Sequence, residues 1–314
     1  GRILEQRYPI FWAQDSIHEH TDDIDAVPPT KFTYDVLDRQ LTVRLPDQSV
    51  TNTSYAIVDD GGVQAMRTRV IDAEGGKKDQ LTDARGYERA RVDYLGNEAI
   101  TTRSLINGIG ELQQVMDVGS NVTAYTYDML GRKLTYDHPD GGLTSFTYDP
   151  AGNLTHKLTA NLLAAYGDTS GAIKYTYDRE RLVRIDYPEN FQNQVFYEYG
   201  APGAQFGRAG RIWRQMDASG GQEFFYGPLG EVVKNIRTII INQAQVHTYV
   251  WQQRYDSWNR IQEMAYPDGE IVSYEYNAAG KLRSMQGEKG ERQYPIIERM
   301  GYDEFEQRVY MKQG

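Results

Sequence analysis

The dipeptide Tyr-Asp recurs along this chain at Tyr34-Asp35, Tyr127-Asp128, Tyr148-Asp149, Tyr177-Asp178, Tyr255-Asp256 and Tyr302-Asp303. Degenerate copies stand at Tyr197-Glu198, Tyr226-Gly227 and Tyr276-Asn277. A second marker, proline before an acid, fixes the frame. Tyr34 to Pro46, Tyr127 to Pro139 and Tyr255 to Pro267 each span 12 residues, and Tyr177 to Pro188 spans 11. From Pro46, Pro139, Pro188 and Pro267 the next repeat tyrosine, Tyr55, Tyr148, Tyr197 or Tyr276, is 9 residues on. Tyr148 to Tyr177, Tyr197 to Tyr226 and Tyr226 to Tyr255 lack the Pro-acid pair and span 29. A repeating period of this kind restricts the chain to a repeat architecture, in which each unit packs against its neighbours.

Each unit has a local physical reading. In Phe146-Thr147-Tyr148-Asp149-Pro150-Ala151-Gly152-Asn153-Leu154 a strand ends at the tyrosine and Asp149 opens a type I turn, its carboxylate able to bond backbone two residues on. The residue three after the Asp must then be left-handed, giving a bulged hairpin. The residues found there, Gly131, Gly152, Gly230, Gly280, Asn259 and Asp38, are the types that tolerate that conformation. The Pro-Asp-Gly or Pro-Glu-Asn corner makes the second turn. One regular unit is therefore two strands and two turns. The alternation in Ile271-Val272-Ser273-Tyr274-Glu275-Tyr276 supports the strands, and no segment reads as an amphipathic helix of ten or more residues. Two places depart from the pattern. Asp178-Arg179-Glu180-Arg181 lacks the Gly and is one residue short, and Glu306 stands where Gly should be, so an irregular last hairpin is expected.

Composition agrees. Tyrosine, at 24 residues against 9 Phe and 4 Trp, suits a half-buried pleated surface with an apolar ring and a wet hydroxyl. A net charge of −10 disfavours a phosphate backbone as partner, so nucleic acid is not expected. The absence of cysteine excludes disulfides and thiolate metal sites. No apolar stretch approaches the roughly 18 residues of a membrane-spanning helix.

The expected organisation is a leader, linker or inserted loop over 1–30, marked by Asp22-Asp23-Ile24-Asp25 and Pro28-Pro29, and a repeat sheet over 31–314. Within the sheet, 31–125 is less regular and 126–314 regular. The less regular part keeps turn signals at Asp59-Asp60-Gly61-Gly62, Asp72-Ala73-Glu74-Gly75, Asp83-Ala84-Arg85-Gly86, Asp93-Tyr94-Leu95-Gly96 and Asn107-Gly108. The initial Gly1 suggests a piece of a longer protein. Strands at either end of such a piece expose unpaired backbone, and Tyr8-Pro9-Ile10-Phe11-Trp12 is apolar enough to cover one.

The motif Tyr127-Asp128-Met129-Leu130-Gly131-Arg132, followed by Pro139-Asp140-Gly141 and Phe146-Thr147-Tyr148-Asp149, resembles the YD repeat of the Rhs family. Similar repeats occur in the B and C subunits of Tc toxin complexes and, more distantly, in teneurins. The resemblance covers roughly 31–310. It implies an all-β fold in which antiparallel hairpins form one long curved or spiralling sheet, a segment of a hollow β-shell. It further implies enclosure and delivery of a toxin or other C-terminal cargo, with other repeats of the shell and an enclosed polypeptide as partners. It places such a protein outside the bacterial cell or on its surface.

Catalytic chemistry finds little support. His18 and His20 could share one strand face as metal ligands, but no third ligand is apparent. His138 precedes a turn proline, and His156 and His247 sit in strands. Most carboxylates open repeat turns, which explains them without a glycosidase pair or calcium loop. Gly200-Ala-Pro-Gly203 and Gly207-Arg-Ala-Gly210 lack the lysine of a phosphate loop and read as hairpin connections. No catalytic, cofactor-binding or metal-binding residue is therefore expected. The arginines Arg39, Arg132 and Arg260 recur after the turn and are expected to pair with the repeat Asp or stack on a Tyr as a structural ladder. The alternative function is binding of carbohydrate or a partner protein through exposed rings, with Trp213, Trp251 and Trp258 as candidates. The orientation of those rings separates the two readings.

Overall fold

A computed structural model describes residues 2–7, 27–96, 98–241, 245–303 and 306–314. The contacts divide into two units, Gly1–Ser145 and Phe146–Gly314. The first is built from strands Glu5–Gln6, Thr30–Tyr34, Gln40–Arg44, Val50–Asp59, Gln64–Ile71, Lys77–Thr82, Glu88–Leu95, Glu98–Ile106, Leu112–Met116, Val122–Tyr127 and Lys133–His138, ending on the start of Gly142–Tyr148. Each pairs antiparallel with the next in sequence. The second unit repeats the scheme from Leu154–Leu158 through to Arg292–Tyr302 and Arg308–Gln313. Both units are the antiparallel hairpin runs that the Tyr-Asp frame predicts.

The turns follow the predicted geometry. At Asp128 the backbone N–H bonds the Arg132 carbonyl at 2.9 Å, and Gly131 N–H returns to the Asp128 carbonyl at 3.0 Å. The strand register shifts between Thr126 and Tyr127, which is the bulge. The same pair of bonds closes the turns at Asp35, Asp149, Gly227, Asp256, Asn277 and Asp303. All six expected residues are left-handed, from Asn259 at φ 59° to Gly152 at φ 92°. Glu306 also adopts φ 64°, with Glu306 N–H on the Asp303 carbonyl and Asp303 N–H on the Gln307 carbonyl. The expected irregularity of this last hairpin lies in its strands, whose register shifts between Ile297 and Arg299 in addition to the bulge between Gly301 and Tyr302. At Asp178 the missing residue gives a tighter connection, with Arg179 at φ 59° and Asp178 paired directly to Arg181.

Three details differ from expectation. The repeat tyrosine of the degenerate Tyr197-Glu198 copy is in fact Tyr199, since the bulge lies between Glu198 and Tyr199 and Gly200 N–H bonds the Arg211 carbonyl at 2.9 Å. The nine-residue step from Pro188 hit the wrong tyrosine because Pro188 does not make a tight corner: a 3₁₀ turn at Phe191–Asn193 widens it. Asp93 and Tyr94 lie inside the strand Glu88–Leu95, opposite Ile100 and Ala99, so that hairpin turns at Gly96 rather than at the Asp. A turn at Asp117 was not read from the sequence because its left-handed residue is Ser120, at φ 62°.

The longer units absorb their extra residues differently. Between Tyr148 and Tyr177 stands a short α-helix, Ala160–Tyr166, capped by the Thr159 hydroxyl and by left-handed Gly167 at φ 79°. Gly200–Gly210 forms a loop that folds back on the sheet, where Tyr226 N–H bonds the Phe206 carbonyl at 2.9 Å. After Tyr226 the strands themselves lengthen, into Val232–Ile241 and Gln245–Tyr255. Little of this is buried. The buried apolar residues among those described are Ala65, Leu81, Ala90, Leu158, Leu162 and Val272, and no large side chain is fully enclosed.

Gly131→Val and Gly280→Val should each lower stability by about 1 kcal/mol or more, because a β-branched residue resists the left-handed region. Gly141→Ala is the control: its φ is not positive and the new Cβ meets only His138 Cβ at 3.9 Å. Urea denaturation should show a drop for the first two and none for the third, and equal midpoints for all three would refute the bulged-turn account.

Candidate functional site

What recurs with the repeat is a set of side chains, not a pocket. The Asp256 carboxylate accepts from Trp258 N–H and Arg260 N–H, each at 2.9 Å, through Oδ1, and from Arg260 Nε at 2.7 Å through Oδ2. Asp35 with Arg39 and Asp128 with Arg132 repeat this arrangement. The arginine then reaches the next repeat. Arg260 lies over the Tyr276 ring at 4.6 Å, Arg39 over Tyr55 at 4.2 Å, Arg181 over Tyr199 at 5.0 Å and Arg211 over Tyr226 at 5.5 Å. In each case the tyrosine hydroxyl donates to the carbonyl one residue beyond that arginine. Tyr276 bonds Ile261 at 2.7 Å, Tyr55 bonds Gln40 at 3.1 Å, Tyr199 bonds Leu182 at 3.1 Å, and Tyr226 bonds Ile212. The result is a latch running from one Asp turn to the next. The expectation for the recurring arginines is met in both its forms, pairing with Asp and stacking on Tyr.

Where the motif is degenerate, other groups fill the same places. At Gly227 no acid is available, and Glu231 reaches back from the far side of the turn so that Leu229 N–H donates to it at 2.8 Å. Asn107 accepts from Ile109 N–H and Glu111 N–H as an Asp would, and its amide donates to the Glu111 carboxylate at 2.7 Å. Asn153 takes the place of arginine beside Asp149, donating at 2.9 Å. A hydroxyl pair stands beside the bulge, Thr126 with Thr135 at 2.6 Å and Thr33 with Thr42 at 2.7 Å.

The electrostatics are those of committed groups. Partial burial pushes the Asp35, Asp128 and Asp256 carboxyls up, but backbone N–H donors and the neighbouring guanidinium outweigh it and hold all three below the ordinary carboxylate range. Asp149 and Asp117 are lowered first by the amides of Asn153 and Asn121. Burial raises the Tyr226, Tyr255 and Tyr276 hydroxyls, which stay neutral donors. Two buried acids, neither legible in the sequence, add cross-strand ties. Asp79, 4% exposed, receives Arg69 at 2.6 Å and Tyr94 Oη at 3.0 Å, while Asp60, 7% exposed, receives Arg103 at 2.6 Å and Arg89 at 3.3 Å. Their partners lie on other strands, so register and not spacing brings them together.

The remaining candidates separate. His18, His20 and Tyr8 to Trp12 lie outside the described residues. His138 Nδ1 accepts from Asp140 N–H at 3.1 Å, a turn-forming role. His247 sits opposite Ile239 in a strand pair, and His156 contacts the Thr147 hydroxyl at 3.1 Å. Among the described residues no three His, Asp or Glu side chains are grouped to hold a metal. Trp258 is 80% exposed at a turn apex, whereas Trp213 and Trp251 are half-buried, so the three make no exposed row. A groove of about 620 Å³ is lined by Phe206, Phe225, Tyr226, Lys234, Arg254 and Glu263. The Arg208 guanidinium already lies over Phe225 at 4.0 Å there. No helix among the described residues is long and apolar enough to cross a membrane.

Comparison with known proteins agrees with this geometry. Residues 255–292 match the family model of the RHS repeat. The double-stranded DNA deaminase toxin A of Burkholderia cenocepacia (strain H111) is 22% identical over 282 residues, covering 74% of this chain and 19% of that protein. The crystal structures of TcdB2-TccC3-Cdc42 and of TcdB2-TccC3 each match with a TM-score of 0.71 at 16% identity, covering 91% of this chain and 16% of that chain. The chain thus spans under a fifth of the length of the proteins it matches. The Rhs-type resemblance read from the Tyr-Asp frame holds, and the antiparallel all-β fold is that of the matching part of the TcdB2-TccC3 structures.

A carboxylate whose folded pKa is depressed stabilises the fold above its unfolded pKa, about 3.9, and that contribution is lost as pH falls through the folded value. The urea midpoint should therefore hold from pH 7 to about 4.5 and drop below it. The triple variant Asp35→Asn, Asp128→Asn, Asp256→Asn keeps the turn acceptor, as Asn277 and Asn107 do, and should flatten that acid limb; an unchanged limb would refute the latch acids as its source. Separately, a Cβ at Gly280 would meet Arg260 Nη1 at 3.2 Å, and at the matching place Asp38 pairs with Arg2. Gly280→Asp should therefore be milder than Gly280→Val in thermal denaturation, and the reverse order would count against the pairing.

Proposed function

We propose that this chain is a wall segment of an Rhs-type shell that encloses a polypeptide cargo and helps deliver it outside the bacterial cell or at its surface, and that it performs no catalysis itself. The observation that carries the reading is the latch. The repeated polar side chains are spent on tying one turn to the next, which is what a wall requires and what leaves few groups free for chemistry. The buried acids Asp60 and Asp79 are likewise matched to arginines. The toxin character of the Burkholderia relative supports a cargo in the same polypeptide or complex, and its deaminase activity belongs, on this reading, to the part of such a protein that this chain does not cover. The partners are then other repeats of the shell and the enclosed segment.

Carbohydrate or partner binding is the second reading, and the groove beside Phe206, itself 58% exposed, favours it locally. It is the weaker one, because Arg208 and Lys234, at 4.0 and 5.2 Å from the Phe225 ring, already occupy that aromatic surface.

The test uses the intact protein to which this segment belongs. Limited proteolysis should spare the enclosed segment in the wild type. Opening two latches with Arg260→Ala, Tyr276→Phe and Arg39→Ala, Tyr55→Phe should make it cleavable while the far-ultraviolet spectrum stays β-rich. A cargo segment cut equally fast before and after would exclude enclosure, and a glycan array signal abolished by Phe206→Ala would move the assignment to the second reading.

A further inference from the structure

Residues 1–30, expected as a leader, linker or inserted loop, contain the strand Glu5–Gln6. Glu5 pairs with Lys31 and Gln6 with Thr30. In the regular unit around Pro267, Glu263 pairs with Ser273 and Met264 with Val272. In the unit around Pro46, Thr42 pairs with Asn52 and Val43 with Thr51. The latch provides the common reference. Tyr34 donates to the Ile3 carbonyl at 2.9 Å, as Tyr276 does to Ile261 and Tyr55 to Gln40. Counted from those tyrosines and carbonyls, the three registers are identical. The arginine before the carbonyl is also in place: Arg2 lies 5.9 Å from the Tyr34 ring and pairs with Asp38, as Arg260 stands over Tyr276 and beside Gly280. The sequences agree as well, Gly1-Arg2-Ile3-Leu4-Glu5-Gln6-Arg7-Tyr8-Pro9 against Asn259-Arg260-Ile261-Gln262-Glu263-Met264-Ala265-Tyr266-Pro267.

The difference lies between the proline and the next tyrosine. Pro267 to Tyr276 is 9 residues, whereas Pro9 to Tyr34 is 25. The register is nevertheless unshifted, and shifting it by one residue would turn every side chain to the other face. We infer that residues 2–7, with the strand Glu5–Gln6, are the first half of a repeat hairpin completed by Thr30–Tyr34, and that residues 10–27 are additional to the regular repeat, so that the pairing of the two halves does not depend on them. The helix between Tyr148 and Tyr177 is a precedent for such an insertion, since it too connects two paired strands, Leu154–Leu158 and Ile173–Asp178. Loop closure makes the insertion cheap, because a longer connection between fixed ends costs only slowly more entropy.

The experiment compares two variants of the chain. Replacing residues 10–27 by Asp-Gly restores the nine-residue spacing of the regular corner, and should leave the thermal midpoint within about 2 °C of wild type and the elution volume consistent with a shorter chain. Replacing Arg2 by Ala together with Tyr34→Phe keeps the full length but removes the latch, and should lower the midpoint by several degrees. Unfolding or aggregation of the first variant would overturn the inference, since the segment would then be part of the sheet's support. An unchanged midpoint in the second would also overturn it, since residues 2–7 would then not act as a repeat strand.

Discussion

The bond from the tyrosine hydroxyl to the carbonyl beyond the previous turn's arginine is the constraint on which the rest depends. With so few buried side chains among the described residues, neither unit has a thick core to hold its strands in register. Hairpins alone are marginal in water. Each Pro-corner hairpin is closed at one end by its turn and open at the other, and the latch lies across the open end. There Tyr276 and Ile261 stand on adjacent strands, and Arg260 is fixed on one side by Asp256 and on the other by the Tyr276 ring. A cation over an aromatic face contributes about 0.5–1 kcal/mol and a hydrogen bond about 1. Neither is large, but both recur with the repeat, so stability accumulates along the chain by nearest-neighbour terms.

The sequence exposed those parts of the fold whose determinants are local. The Asp turn needs an acceptor at its first position and a residue that tolerates φ > 0 at its fourth, and both are visible as Asp35 with Asp38, Asp128 with Gly131 and Asp256 with Asn259. What the frame could not show was anything set by cross-strand register. Asp79 meets Arg69 and Tyr94 only because their strands pair, and nothing in the spacing marks them. The nine-residue step chose Tyr197 over Tyr199 for a related reason. Two tyrosines alternate on Tyr197-Glu198-Tyr199, and only the bulge, a property of the pairing with Ile212, distinguishes them. Arg2 and Ile3 went unread because their tyrosine lies beyond a long insertion.

Substitution within the turn follows acceptor geometry and not residue identity. An Asp carboxylate, an Asn amide oxygen or a Glu reaching from four residues on can each receive the N–H two residues into the turn, as Asp256, Asn107 and Glu231 do. The left-handed position is filled by Gly, Asn and Asp, and also by Ser120 and Glu306. Glu306 is tolerated because its N–H still bonds the Asp303 carbonyl while Asp303 N–H bonds the Gln307 carbonyl, and its carboxylate pairs with Lys281 at 2.5 Å, a local compensation for the strained backbone.

These facts together account for a fold retained at low identity. A match at 16% identity with a TM-score of 0.71 is what a repeat of this kind permits. Few positions per unit are constrained: an acceptor, a left-handed residue, an arginine or its substitute, and a tyrosine. The strands between them need only alternate. Insertions enter where two strands are joined. At the corner opposite the Asp turn they stand at the far end of the hairpin from its latch, and where Gly200–Gly210 enlarges the turn itself, the flanking Tyr199 and Arg211 still reach their latch partners. The helix Ala160–Tyr166 shows the separation of tasks: its Thr159 and Gly167 caps satisfy its own termini, while the strands it joins, Leu154–Leu158 and Ile173–Asp178, remain an antiparallel pair. Selection can therefore alter the corners and the exposed apices freely, while each turn-to-turn tie continues to set the register of the next hairpin.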